Sequence, residues 1–149
     1  MRPRRSHRTH ESDHGFSMIE LMMVLVVFGI VLSFGIPSFW RYTQSQALRG
    51  TSENLVQTIQ LQRTRAMATG QSVTLNFNTA APAAWTVMGQ GRSTSNVLPK
   101  GITYASANPT SLTITNTGRV NTSGTIVFQG RNGAQDTVSV QVSGLALIR

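Results

Sequence analysis

Few side chains in this sequence could do chemistry. All three histidines lie within the first fifteen residues, at His7, His10 and His14. After residue 15 the acidic residues are Glu20, Glu53 and Asp136, and the chain has no cysteine. A Ser/His/Asp triad, a pair of catalytic carboxylates or a histidine-rich metal site needs groups that the rest of the chain lacks. The sequence therefore predicts no enzyme activity, no cofactor and no metal site, with the histidines belonging to a polar leader.

Glu20 has the most unusual surroundings of any charged residue. It is the one charge in the apolar run 16–40. As a helix, this run would extend roughly 37 Å, more than the hydrocarbon core of a bilayer. A carboxylate inside such a helix costs about 2.5–3.5 kcal/mol on insertion scales, so it calls for a partner or a function. We therefore predict a transmembrane helix over 16–40 in which Glu20 is functional.

The flanking charges predict the orientation of this segment. Four arginines precede it, at Arg2, Arg4, Arg5 and Arg8, while its far side opens with Arg41 and a long polar chain. The short basic end should remain in the cytoplasm. This predicts a single-pass membrane protein whose domain after Trp40 is exported.

The sequence Gly-Phe-Ser-Met-Ile-Glu at residues 15–20 follows a basic polar leader and opens the apolar run. This arrangement resembles the prepilin signature of type IV pilins and type II secretion pseudopilins. The resemblance implies cleavage by a prepilin peptidase between Gly15 and Phe16, which makes residues 1–15 a leader, and N-methylation of Phe16. It also implies that Glu20 pairs with the Phe16 amine of a neighbouring subunit during filament assembly. An opposite charge is the partner that a buried carboxylate needs.

A secretory signal peptide and a plain single-pass anchor are two other interpretations of the apolar run. A secretory signal peptide would use the small residues Ser33 and Gly35 at its cleavage site, but the run is longer than an ordinary signal core and carries an acid near its start. A plain single-pass anchor explains the hydrophobicity but neither Gly15 nor Glu20. The prepilin interpretation accounts for all of these features.

The polar chain after Trp40 keeps a helical period. Apolar residues recur at helical spacing over 41–70, namely Leu48, Leu55, Ile59, Ala66 and Met67, whereas Gln57, Gln60 and Arg63 are predicted to face outward. Gly70 is predicted to end the helix. Pro37 is predicted to kink the membrane-embedded half. Residues 41–70 are thus the amphipathic second half of one long helix.

After Gly70 the apolar period changes to two. Alternating runs predict strands at 73–77, 85–87, 102–104, 112–114, 125–129 and 137–142, with loops at the polar clusters 89–96 and 116–124. Asn132-Gly133 is a turn signal between the last two strands. We predict an α+β, pilin-like fold in which the long N-terminal helix packs on an antiparallel sheet domain spanning 71–149.

Residues 48–75 resemble the helix-to-strand junction of the GspH/FimT family of minor pilins and pseudopilins. This resemblance implies a structural subunit of a type IV pilus or its tip complex. Its partners would be other pilins or pseudopilins, the prepilin peptidase and an inner-membrane assembly platform. The alternative within this class is a minor pseudopilin of a type II secretion system.

A third alternative is a pilus-associated DNA receptor for natural transformation. Residues 16–149 contain nine Lys and Arg against three acids, and such a surface attracts nucleic acid. The candidate DNA contacts are Lys100, Arg119, Arg131 and Arg149. The ending resembles the Gly-Arg-x-Arg tail of DNA-binding relatives, but Leu145 stands where the first arginine would be. We therefore rank DNA binding below a structural role.

Overall fold

The computed structural model describes residues 16–149, except for the side chains of 34–38 and 40. The chain divides into two compact units, Met1–Ser38 and Phe39–Arg149. One helix, α1, covers Met18–Thr69. The strands that follow are β1 Val73–Asn78, β2 Ala84–Gly89, β3 Arg92–Val97, β4 Ile102–Asn108, β5 Ser111–Ile114, β6 Gly124–Gly130, β7 Gln135–Val140 and β8 Ala146–Ile148.

The second half of α1 packs through the apolar stripe that the sequence predicts. Leu55, Ile59 and Ala66 are almost completely buried because their spacing puts them on one helical face. The helix ends at Thr69, and Gly70 has the positive φ of 69° that a helix C-terminus favours. Met67 was wrongly assigned to the buried stripe. It is 46% exposed, and its side chain covers the backbone of Gly118.

The strands form two antiparallel sheets, where the sequence analysis expected one. The first has the order β3-β2-β1-β5 and the second the order β4-β6-β7-β8. A register shift between Tyr104 and Ser106 marks a bulge in β4. The α+β class and the antiparallel pairing are confirmed.

Two strands lie where the sequence predicted none, and one lies two residues earlier in the chain than predicted. The cluster 89–96 was predicted to be a loop, but Arg92–Val97 forms β3 and pairs with β2 along its length. It is a mostly exposed edge strand, so its side chains show no apolar alternation. Strand β8 also went unpredicted, and β7 ends at Val140 rather than at residue 142.

The core of the second unit joins the helix to both sheets. Its buried apolar residues extend from Leu48 to Ala146. At its centre the ring of Phe128 in β6 lies 5.2 Å from that of Tyr104 and 6.3 Å from that of Trp85. Aromatic pairs at these separations add to the stabilisation that comes from burying their apolar surface. The second unit therefore carries its own hydrophobic core.

Candidate functional site

Glu20 lies in the first turn of α1. The carbonyl of Ser17 accepts hydrogen bonds from the backbone N–H of Glu20 at 3.0 Å and from that of Leu21 at 3.2 Å. Ser17 is therefore the N-cap residue, and Glu20 occupies the third helical position. A carboxylate there is stabilised by the positive end of the helix dipole. Ser17-x-x-Glu20 is also the capping-box pattern, a local signal that the sequence analysis did not use. The Glu20 carboxylate can therefore stabilise the N-terminus of α1, and because it is exposed it can also pair with a cation of another molecule.

The side chains of residues 16–33 are exposed along the whole of this part of α1. Phe16 is 78% exposed, and Leu32, the least exposed of the large apolar residues here, is still 48% exposed. A continuous apolar surface of this length marks a site that contacts another protein or a membrane. Among the described residues, the structure records no ion pair for Glu20. The apolar surface of residues 16–33 is therefore a candidate interface.

In the part of the chain that the structure describes, no helix meets the length and hydropathy that a membrane crossing requires. The transmembrane assignment of 16–40 remains a prediction. Gly15, the predicted cleavage residue, lies outside the described residues, as do the three histidines. The helix is continuous through position 37, but the side chain of Pro37 is not described, so the kink also remains a prediction.

Two of the four candidate DNA contacts lie together. Lys100 and Arg131 line one cavity of about 220 Å³, which we call the Lys100–Arg131 cavity. Its other lining residues are Thr43, Gln44 and Ala47 of α1, Gly101 and Ile102 at the start of β4, and Gly130 at the end of β6. In the pairing of β4 with β6, Ile102 lies opposite Gly130. This register brings Lys100 and Arg131, which adjoin the two paired ends, to the same place.

The Arg131 side chain lies against the backbone of Gly101 at this cavity. A Cβ atom on Gly101 would come within 3.0 Å of the Arg131 Nε and 3.2 Å of its Cγ, so the arginine side chain lies directly over the glycine backbone. The turn that carries Arg131 is closed by a hydrogen bond from the Gly133 N–H to the Gly130 carbonyl at 3.0 Å. The backbone turn and the packing on Gly101 thus set where the Arg131 charge lies.

The other two candidate contacts do not line this cavity. Arg119 lies in the loop between β5 and β6, where its carbonyl accepts a hydrogen bond from the Thr115 N–H at 2.8 Å. Arg149 follows β8, and its backbone N–H donates to the carbonyl of Thr137 at 2.8 Å. The structure therefore brings together only Lys100 and Arg131 of the four.

A second basic cavity was missed by the sequence analysis. Arg65 of α1 and Arg92 of β3 line a cavity of about 230 Å³ over Val73 and Val87. The nearby β2–β3 turn is tied to the helix by a hydrogen bond from Gln90 Nε2 to Thr69 Oγ1 at 2.8 Å. No sequence signal could have paired these two arginines, because β3 itself was not predicted.

The described residues contain no group of three or more His, Cys, Asp or Glu side chains placed to hold a metal. Among the described residues, the hydroxyl of Tyr104 is buried and has no recorded hydrogen-bond partner. Burial raises the pKa of Tyr104 because it disfavours the phenolate. Packed between Phe77 and Phe128, this side chain belongs to the core rather than to a reactive site.

Comparison with protein families gives two matches. A family described as "Prokaryotic N-terminal methylation motif" matches residues 12–36. A family described as "Type II transport protein GspH" matches residues 51–145, more than half of the chain. No curated protein sequence matches significantly.

Two solved structures share the fold. One is the type IV minor pilin FimU of Pseudomonas aeruginosa, with a TM-score of 0.58 and 14% identity, covering 72% of this chain and 92% of FimU. The other is EpsH, the minor pseudopilin from the type 2 secretion system of Vibrio cholerae, with a TM-score of 0.54 and 14% identity, covering 68% of this chain and 95% of EpsH. At this identity the likeness shows the fold.

Proposed function

Because the chain belongs to the GspH family of type II transport proteins, we propose that it is a structural minor pilin or pseudopilin that assembles into a type IV pilus or its tip complex. The observation that carries this proposal is the exposed apolar surface of residues 16–33, which contains one acid. Packing of such helices in a filament would cover this surface. The chain would carry out no reaction of its own.

The methylation motif over 12–36 supports the processing that the leader suggests. A prepilin peptidase cuts between Gly15 and Phe16, and the new amino group of Phe16 is methylated. Before assembly, the apolar half of α1 anchors the chain in the inner membrane in a single pass. Its N-terminus is cytoplasmic and its C-terminal domain periplasmic, and an inner-membrane platform passes the subunit to the filament.

In this assembly Glu20 binds the amino group of Phe16 in the adjacent subunit. Glu20 and Phe16 are both exposed at the start of α1, so neither needs to break a described contact to reach a neighbour. Two opposite charges removed from water stabilise each other only as a pair, and leaving one unpaired costs about 3–5 kcal/mol. The pair would therefore also fix the axial register between subunits.

The experiment is to express Glu20→Leu in the native host and measure the fraction of the chain in sheared or purified filaments. We expect normal membrane insertion but at least a tenfold loss from filaments, because the neighbouring amine loses its counter-ion. Arg49→Leu, an exposed control, should assemble normally. Mass spectrometry of the wild-type chain should show methylated Phe16 as its first residue. Normal incorporation of Glu20→Leu, or a chain starting elsewhere, would overturn the proposal.

A minor pseudopilin of a type II secretion system remains the second candidate, because EpsH shares the fold. The same Glu20 chemistry would serve either filament. Deleting the gene separates the two: loss of pili indicates the first, and loss of secreted enzymes from the medium indicates the second.

A further inference from the structure

The Lys100–Arg131 cavity contains two cations and no acid among its lining residues. We propose that it binds a carboxylate side chain presented by an acidic neighbouring protein. This inference rests on the proposed function in that the neighbour is a different subunit of the same assembly. The contact is an interaction surface on the C-terminal domain, separate from Glu20.

The charges of the cavity are available to a partner. The one ion pair among the described residues joins Arg49 to Glu53 at 3.1 Å. Of the other two acids described, Asp136 accepts the backbone N–H of Thr137 at 3.0 Å, and Glu20 lies in the other unit. Neither Lys100 nor Arg131 is therefore neutralised by a carboxylate of the described chain.

The shape of the cavity suits a carboxylate on a short apolar stem. The side chain of Ala47 and the buried side chain of Ile102 supply apolar surface, while Lys100 and Arg131 supply the charges. A guanidinium can donate two parallel hydrogen bonds to a carboxylate, and such charge-assisted bonds are the strong ones. Arg131 lies over Gly101, so its guanidinium is placed at this cavity.

The charge of the whole domain indicates a partner other than a second copy. Residues 39–149 contain nine Lys and Arg against Glu53 and Asp136. Two such domains repel each other, and both acids already have partners within their own domain. An acidic protein would instead be attracted and correctly oriented.

Duplex DNA fits this cavity less well. Its phosphates call for a row of cations along a surface, because each contact neutralises a separate phosphate. Arg119 and Arg149 do not line the cavity, which leaves two cations around about 220 Å³. Two cations at one place can pair with a single carboxylate, whereas duplex DNA needs charges spread along a surface.

The test uses the full chain, labelled with ¹⁵N and purified in detergent micelles. The probe is a capped pentapeptide with one central glutamate between two leucines, and the control peptide has glutamine in its place. We expect the glutamate peptide to shift the amide signals of Gly101 and Gly130 saturably, and the glutamine peptide to shift them little. Arg131→Gln should weaken binding about tenfold, since it removes charge-assisted hydrogen bonds.

Arg65→Gln is the matched control, because it removes one arginine from the other basic cavity. It should change the affinity for the glutamate peptide by less than about twofold. The Gly89 signal, which reports on that other cavity, should not move when the peptide is added. Equal weakening by both variants would indicate general charge attraction and overturn the proposal. So would an unchanged affinity in Arg131→Gln, or tighter binding of a short DNA duplex at the same signals. Filament incorporation of the wild-type chain is measured separately. The proposed filament assembly and the proposed carboxylate binding can therefore fail independently of each other.

Discussion

At the scale of single residues, Tyr104 shows how packing can outweigh hydrogen bonding. Its ring lies 5.2 Å from that of Phe128 and 6.2 Å from that of Phe77, measured between ring centroids. These contacts place its hydroxyl where it is buried, with no hydrogen-bond partner in the described part of the chain. A buried hydroxyl without a hydrogen bond costs roughly 1–3 kcal/mol, so the ring must contribute more than the hydroxyl loses.

We expect Tyr104→Phe to leave the fold intact and to raise the free energy of unfolding by about 1 kcal/mol at neutral pH. The folded wild-type chain holds the Tyr104 proton to a higher pH than the unfolded chain, whose tyrosine pKa is 10.0. Stability should therefore fall as the pH rises above 10, and the variant should lack this part of the fall. Urea unfolding of the full chain in detergent at several pH values measures this.

Tyr42→Phe is the control for that measurement, because Tyr42 is 62% exposed. At neutral pH its free energy of unfolding should match that of the wild type within about 0.5 kcal/mol. A large loss of stability in Tyr104→Phe at neutral pH would show that the hydroxyl has a partner that the structure does not record.

At the scale of elements, Arg63 connects α1 to two loops. The sequence placed it on the outer face, but it is half-buried, and its Nε donates to the carbonyl of Gly118 at 3.1 Å. Gly118 and Gly144 both have positive φ, and a Cβ on Gly144 would come within 3.0 Å of the Arg63 Nε. The arginine fits because two glycines leave it room. It therefore holds the β5–β6 and β7–β8 loops against the helix.

Arg63→Ala should lower the free energy of unfolding by roughly 1–3 kcal/mol, since the Gly118 carbonyl loses a charged donor and the two loops lose packing. Arg65→Ala, two residues along the helix and exposed, should change it by less than about 0.5 kcal/mol. Thermal unfolding of both variants beside the wild type provides the comparison. Equal effects would mean that the contact contributes nothing beyond the charge.

At the scale of the whole molecule, the excess of positive charge raises the question of DNA. The four cations considered as DNA contacts are not gathered at one place: Lys100 and Arg131 share a cavity, while Arg119 and Arg149 lie outside it. Strong nonspecific binding needs several simultaneous phosphate contacts. The distribution of charge thus favours an acidic protein partner over a nucleic acid.

We expect the full chain in detergent to bind a short DNA duplex weakly and to release it near 0.15 M salt, because few phosphates are neutralised together. Fluorescence anisotropy over a salt series measures this. Arg149→Ala should leave the slope of log affinity against log salt unchanged. Removing a residue that contacts a phosphate would reduce the size of that slope by about one. Tight binding at that salt, lost in Arg149→Ala, would favour the DNA-receptor alternative.

The sequence by itself determined the features that depend on neighbouring residues. The helical stripe containing Leu55 and Ile59 and the helix end at Gly70 follow from local periodicity and backbone preference, and the structure confirms them. The Asn132-Gly133 turn also lies between the two strands that it was predicted to join. The roles of Gly15 and Glu20 remain predictions that rest on local motifs.

Only the tertiary structure decided which distant residues meet. Strand β3 is polar and exposed, so pairing with β2 creates it where its own side chains gave no signal. The Lys100–Arg131 cavity depends on the register of β4 against β6, and the Arg63 contact joins residues 55 positions apart. Such contacts form because the apolar faces of the helix and both sheets must be buried together. That packing brings together polar side chains that are distant in the sequence, and local residue spacing does not predict which of them will meet.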